Sequence, residues 1–217
     1  MARYIKYALT FGLFFGCSLS CTGDYQAKIN DVWIPQADSI QPLPQGENWI
    51  IDADGKAGKV PKSANVFMIA PREIPWHKIQ SLRENIQSLG KTPFLVVGKR
   101  KKTGVFLPSD EIAKENGVAT QAISAYVTPK GKFCVGPPKA IEYKCTQRSD
   151  KLHADRAGIR QLVREARKGY RLDSLNLNVD PMIGYADYIR AVDGARTCCS
   201  KLPDTKVFVN VTSVSKE

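Results

Sequence analysis

Histidine is nearly missing from this chain: His77 and His153 are the only two in 217 residues. Hydrolysis through serine, cysteine or a bound metal needs such a base or ligand. Each histidine stands at the start of a predicted helix, where a lone imidazole is ordinarily a solvated surface group. Long apolar runs are lacking too. No stretch reaches the roughly 18 apolar residues that a bilayer-spanning helix requires, which excludes a polytopic membrane protein. Nucleotide-binding glycine loops, G-x-S-x-G and H-E-x-x-H are all missing, and no pattern pairs two carboxylates as acid and base. Asp52-Ala53-Asp54-Gly55 is a poor calcium loop, since its glycine comes early and Lys56 and Lys59 follow; it reads as a turn. The sequence therefore predicts no enzyme, no metal and no cofactor. Acids are also few, 21 against 32 lysines and arginines, for a formal charge of +11.

What is there begins at the N-terminus. Arg3 and Lys6 precede a short apolar run from Tyr7 to Gly16, the pattern of a secretory signal over residues 1–21. Cys17 and Cys21 each follow a small residue, as in the lipobox of a lipoprotein, and both are candidate lipid anchors. Export to the periplasm or an outward-facing membrane surface makes disulfides the expected state of Cys134, Cys145, Cys198 and Cys199. The expectation is one or two bridges joining the 134–145 segment to the helix end near 198–199, with connectivity left open. Nucleic acid is set aside as a partner for an exported chain.

Apolar periodicity then orders the rest. Residues 22–46, rich in proline, glutamine and aspartate, read as an irregular tether in which Val32–Ile34 suits a short strand. Strands are predicted at 48–52, 64–70 and 93–97. Between the last two, Trp76, Ile79, Leu82, Ile86 and Leu89 recur at helical spacing until Gly90 ends the helix. A basic and polar linker is read over 99–120, starting at Lys99–Lys102. Strands follow at 122–127, 132–135 and 140–145, then a helix over about 154–170 whose apolar side is Ile159, Leu162, Val163, Ala166 and Tyr170. A strand at 175–179, a helix at about 185–198 and a strand at 206–211 complete the chain. The helix at 154–170 also carries Arg156, Arg160, Arg164, Lys168 and Arg171, a cationic stripe suited to a solvated face or to an anionic partner such as lipid head groups or peptidoglycan.

The two halves repeat each other. Ile74 falls on Ile183, Trp76 on Tyr185, Ile79 on Tyr188 and Ile86 on Ala195, at a constant offset of 109 residues. Phe94–Val97 then matches Val207–Asn210 after a four-residue insertion. The shared unit is strand, helix, strand, and two copies predict an α+β protein of two small modules, 47–98 and 121–217. Small open sheets of this kind recruit extended peptides by strand addition, for which 206–211 and the hairpin at 122–135 are candidates, unless the repeats pair with each other or with a second chain in a homodimer.

On these residues the second half resembles the periplasmic domain of the ExbD/TolR family of biopolymer transport proteins. Residues 122–136 resemble its opening hairpin, 159–170 its first helix, 175–195 its strand and second helix, and 206–211 its last strand. The first half resembles a degenerate second copy, without a counterpart of the helix at 154–170. Family members carry a transmembrane helix bearing an aspartate that takes part in proton-driven motor action. The run from Tyr7 to Leu19 holds no acid, and a proton relay requires an ionisable group within the bilayer. The resemblance thus implies an exported accessory or interaction component, whose partners are envelope proteins such as ExbD/TolR-type motor subunits. The alternative is a structural envelope lipoprotein that binds anionic polymer.

Overall fold

The computed structural model describes residues 27–99, 102–106, 123–128, 132–136, 144–146, 156–170, 174–198 and 206–211. The leader with Cys17 and Cys21, most of the 99–120 linker, the turn at 129–131, His153, Arg171 and Cys199 lie outside them.

The chain is α+β. A two-stranded hairpin, β1 (Ala27–Ile29) and β2 (Val32–Ile34), precedes the first sheet. That sheet has the order β3-β4-β5-β6, built from β3 (Glu47–Ile50), β4 (Asn65–Ile69), β5 (Thr92–Lys99) and β6 (Lys102–Phe106), with helix α1 (Trp76–Ser88) crossing from β4 to β5. The second sheet runs β11-β10-β7-β8-β9, from β7 (Ile123–Val127), β8 (Phe133–Gly136), β9 (Lys144–Cys145), β10 (Ser174–Val179) and β11 (Lys206–Val211). Helix α2 (Arg156–Tyr170) precedes β10, and α3 (Tyr185–Arg196) joins β10 to β11.

The repeat is present in the backbone. The β4–α1–β5 and β10–α3–β11 units both place two parallel strands side by side around a crossover helix, as the chain's right-handed twist favours. Strand pairing corrects the alignment of the last strand. Phe67 pairs with Phe94, and its counterpart Asn176 pairs with Phe208. Phe94 therefore answers to Phe208 rather than Val207, and the insertion is one residue longer than the sequence match implies. Pairing also reveals a third equivalent strand. Glu47 pairs with Val66 and Ile123 with Leu175, so β3 and β7 occupy the same place beside their central strands.

Two expectations for the connecting segments are corrected. The lead-in is part of the fold: Ala27 and Ile34 bury with Phe67, Ile69, Val96 and Val105 on the sheet face turned away from α1. Gly98 permits this approach, since a Cβ there would clash with the Ala27 Cβ. The basic run at Lys99–Lys102 opens no linker. Lys99 and Lys102 pair directly as the inner end of the β5–β6 hairpin, and Val105 and Phe106 are buried.

Helix α1 stops where Gly90 takes a left-handed φ of 71°. Gly90 N–H bonds Gln87 O and Lys91 N–H bonds Ile86 O, the paired closure of a Schellman end. Of its predicted apolar face, Trp76, Ile79 and Ile86 are buried while Leu89 is exposed. In α2, Ile159 and Val163 are buried, with Leu162 and Ala166 packed against the core. The core runs without a break from Trp49, Met68 and Leu95 of the first sheet to Leu175, Leu177 and Val179 of the second. The two halves thus share one interior.

Candidate interaction site

Helices leave their first N–H groups without intrahelical partners. The residues before α1 and α3 are Pro75 and Gly184, and neither makes a side-chain cap bond. Each helix is instead capped by the other half. Trp76 N–H bonds Ile183 O at 2.7 Å, and Tyr185 N–H bonds Ile74 O at 2.7 Å. One residue on, His77 N–H bonds Pro181 O at 3.2 Å and Ala186 N–H bonds Arg72 O at 2.9 Å. Donors and acceptors in each pair differ by the repeat offset, so the four bonds are related by a local two-fold relation. Pro75 and Gly184 form an antiparallel bridge on that axis. The Trp76 ring stacks on Tyr188 at a centroid distance of 3.5 Å and on Tyr185 at 6.0 Å. The Arg83 guanidinium stands over Trp76 at 5.9 Å.

This junction corrects the reading of His77 as a solvated side chain. Its Nδ1 lies 2.8 Å from Pro181 O. A carbonyl only accepts, so Nδ1 carries the proton. Tyr185 is fully enclosed beside it, and burial raises its phenol well above the ordinary value; a phenolate has no solvation there.

A second connection is asymmetric. After β2 the chain passes along the first sheet as a strap. Ala37 N–H bonds Gly98 O, and Gln41 exchanges two backbone bonds with Val105 at 2.9 Å. At the strap's centre, the N–H groups of Asp38 and Ser39 donate to the two carboxylate oxygens of Asp193 at 2.8 and 2.9 Å. Asp193 belongs to α3 and is 0% exposed. Arg160 of α2 pairs with the Asp38 carboxylate and also donates from Nε to Thr197 Oγ1 at 2.9 Å.

The predicted cationic stripe is therefore corrected at its middle. Arg160 is committed to the strap and to Thr197, and Arg164 donates from Nε and Nη2 to Cys198 O at 3.2 and 2.9 Å. Both lie at the C-terminal end of α3, where cations complement unsatisfied carbonyls and the helix dipole. Arg167, absent from the stripe, is buried with Nη1 3.9 Å from Cys198 Sγ. Lys168 is exposed, while the Arg156 side chain falls outside the described residues.

The cysteines also resolve differently from expectation. Cys134 and Cys145 bond to each other across paired strands β8 and β9, so this bridge closes a hairpin and does not reach the helix end. Cys198 is in a disulfide as well, to a sulfur outside the described residues. The Asp52 motif is a turn: Oδ1 of Asp52 accepts the N–H groups of Asp54 and Lys56, with Gly55 at φ 78°. Among the described residues no group of three potential metal ligands gathers, and no helix is long and apolar enough to cross a membrane.

Of the two segments expected to accept an added strand, the structure leaves one. In the hairpin, β7 lies between β10 and β8, and β8 between β7 and β9. By contrast β11 is an edge strand, joined along one side to β10. Its counterpart in the first half, β5, has the same inner neighbour but is covered on its outer side by antiparallel β6. The backbone of β11 therefore presents a row of donors and acceptors with no strand against it among the described residues, the chemistry of strand recruitment. The apolar pattern of the sequence marked this segment as a strand of a small open sheet but carried no information on its neighbours. No protein-family model, curated protein or solved structure matches the chain.

Proposed function

We propose that this chain is an exported, non-enzymatic interaction protein of the cell envelope, an ExbD/TolR-like accessory of a proton-driven transport motor. It works by accepting an extended segment of a motor subunit along the outer edge of β11. The observation that supports this reading most directly is the contrast between β5, which its own chain covers with β6, and β11, which among the described residues it does not. Strand addition draws its affinity from backbone hydrogen bonds and needs no catalytic group. The polymer-binding alternative loses support, because Arg160 and Arg164 already serve the strap and the end of α3.

A photo-crosslinking amino acid placed in turn at positions 207 to 211 of the full chain, expressed in its own envelope, tests this. Adducts with ExbD/TolR-type subunits should form at β11, persist at high salt, and be missing from a control at Lys168. Adducts confined to position 168, or none with motor subunits at either salt concentration, would refute the proposal.

A further inference from the structure

Cys198 follows the C-terminal end of α3, and Cys199 follows it directly in the chain. The sequence holds six cysteines. Cys134 and Cys145 are bonded to each other, and Cys198 is itself disulfide-bonded, so its partner is Cys17, Cys21 or Cys199. Cys17 and Cys21 belong to the predicted secretory leader, where cleavage removes a cysteine or a lipid occupies its thiol. Cys199 is then the partner, a step that rests on the export reading.

A bridge between neighbours differs physically from the one between β8 and β9. The Cys134–Cys145 bridge closes a loop with a sequence separation of 11 and so restricts the unfolded chain. A bridge across one peptide bond closes no loop and gains almost nothing of that kind. Its small ring also holds the disulfide away from relaxed geometry, which makes it easier to reduce. The surroundings favour opening as well. Arg167, only 8% exposed, brings Nη1 to 3.9 Å from Cys198 Sγ, and a cation beside a sulfur stabilises the thiolate. Arg164 donates to Cys198 O from Nε and Nη2, and Arg160 donates to Thr197 Oγ1. Neither contact involves the sulfur, so the end of α3 keeps its place when the bond breaks.

We propose that Cys198–Cys199 is a redox-active disulfide, opened by a dithiol through thiol–disulfide exchange, with Arg167 stabilising the departing Cys198 thiolate. Cys198 is 0% exposed, so the attacking thiolate takes the other sulfur. A bond forms from the dithiol to Cys199 Sγ, the 198–199 bond breaks, and its electron pair leaves on Cys198. The second thiolate of the dithiol then attacks the dithiol sulfur of the mixed disulfide, and Cys199 leaves. The protein has gained two electrons, and the dithiol ends as a disulfide. Of the two protons it releases, one goes to Cys199 and one to water. An oxidised acceptor of the same class runs the steps in reverse, so the site registers the thiol balance of its compartment.

Disulfide mapping by mass spectrometry on the full chain isolated from its own envelope tests the pairing. The tryptic peptide 197–201 contains both cysteines and should be lighter than its reduced form by two hydrogens. Timed reduction with dithiothreitol, followed by alkylation, tests the reactivity. Cys198–Cys199 should open at least about tenfold faster than Cys134–Cys145, with unchanged far-ultraviolet circular dichroism. Arg167→Gln should slow that opening about tenfold, and Arg167→Lys, which keeps the charge, should restore most of the rate. If Arg167→Gln does not fold, the pairing and the order of opening in the wild type still decide. Cys198 linked to Cys17 or Cys21 would overturn the proposal and the export reading together. Free thiols at 198 and 199 in the isolated chain, earlier opening of Cys134–Cys145, or a folded Arg167→Gln chain that opens at the wild-type rate would each overturn the proposal alone. None of these outcomes bears on strand addition at β11.

Discussion

Asp193 gives the sharpest energetic prediction. Its carboxylate is 0% exposed and accepts two backbone N–H groups of the strap, at 2.8 and 2.9 Å. A hydrogen bond to a charged acceptor contributes about 1.5–3 kcal/mol, and a buried donor left without one loses its solvation as well. Asp193→Asn keeps a single acceptor oxygen, so one bond survives and the expected loss is about 2 kcal/mol. Asp193→Ala removes both and should cost about 4 kcal/mol. The neighbouring Asp38–Arg160 pair is the control. Its side chains are 38% and 30% exposed, and an ion pair so placed contributes no more than about 1 kcal/mol, so Asp38→Asn should lose that much at most. Equilibrium denaturation measures all three variants, and amide exchange at Asp38 and Ser39 localises the effect to the strap. If Asp193→Ala loses no more than Asp38→Asn, the carboxylate does not hold the strap and the argument fails.

Other consequences are as direct. Among the described residues the buried Tyr185 hydroxyl meets no hydrogen-bond partner, so Tyr185→Phe should be neutral or raise stability by about 1 kcal/mol in thermal unfolding; a loss of that size would contradict the placement. The same phenol titrates higher in the folded state than in the unfolded one. Its stabilising contribution is complete below the unfolded value near 10 and declines above it, by up to about 1.4 kcal/mol per pH unit. Denaturation from pH 9 upward should show that slope in the wild type and a shallower one in Tyr185→Phe. Gly90 sits at φ 71° with open space around its Cβ position, so Gly90→Ala should cost about 1 kcal/mol through backbone conformation alone. Removing the Cys134–Cys145 bridge, a sequence separation of 11, should cost about 3 kcal/mol by the entropy of loop closure; an unchanged denaturation midpoint would count against a bridge at this position.

Much of the architecture was legible because the patterns are local. Alternation in Leu175–Val179 gave a strand with one polar side, and the spacing of Trp76, Ile79 and Ile86 gave α1. The repeat was visible because its anchors, Ile74 and Trp76 against Ile183 and Tyr185, are the residues that make the reciprocal caps. Less local features escaped. Phe67 and Ile69 are buried as well as Val66 and Met68, but a continuous apolar run does not say what covers its second face, so the hairpin of β1 and β2 read as a tether. The charged start of β6 hid a strand whose buried residues are only Gly104, Val105 and Phe106. The equivalence of β3 and β7 rests on backbone register, with Trp49 standing where the other half has Ala125. The arginines of α2 followed a helical stripe in sequence, yet their partners, Asp38, Thr197 and Cys198, come from segments that no periodicity connects to α2.

The two repeats form one structural unit because each caps the other's helix. Amide hydrogen exchange at Trp76, His77, Tyr185 and Ala186 in the intact chain tests it most directly. Mutual capping within a shared core predicts that all four exchange together, at the slow rate set by global unfolding. Fast exchange at any matched pair, while Val96 and Leu177 stay protected, would mean that the halves part without unfolding and would contradict the account.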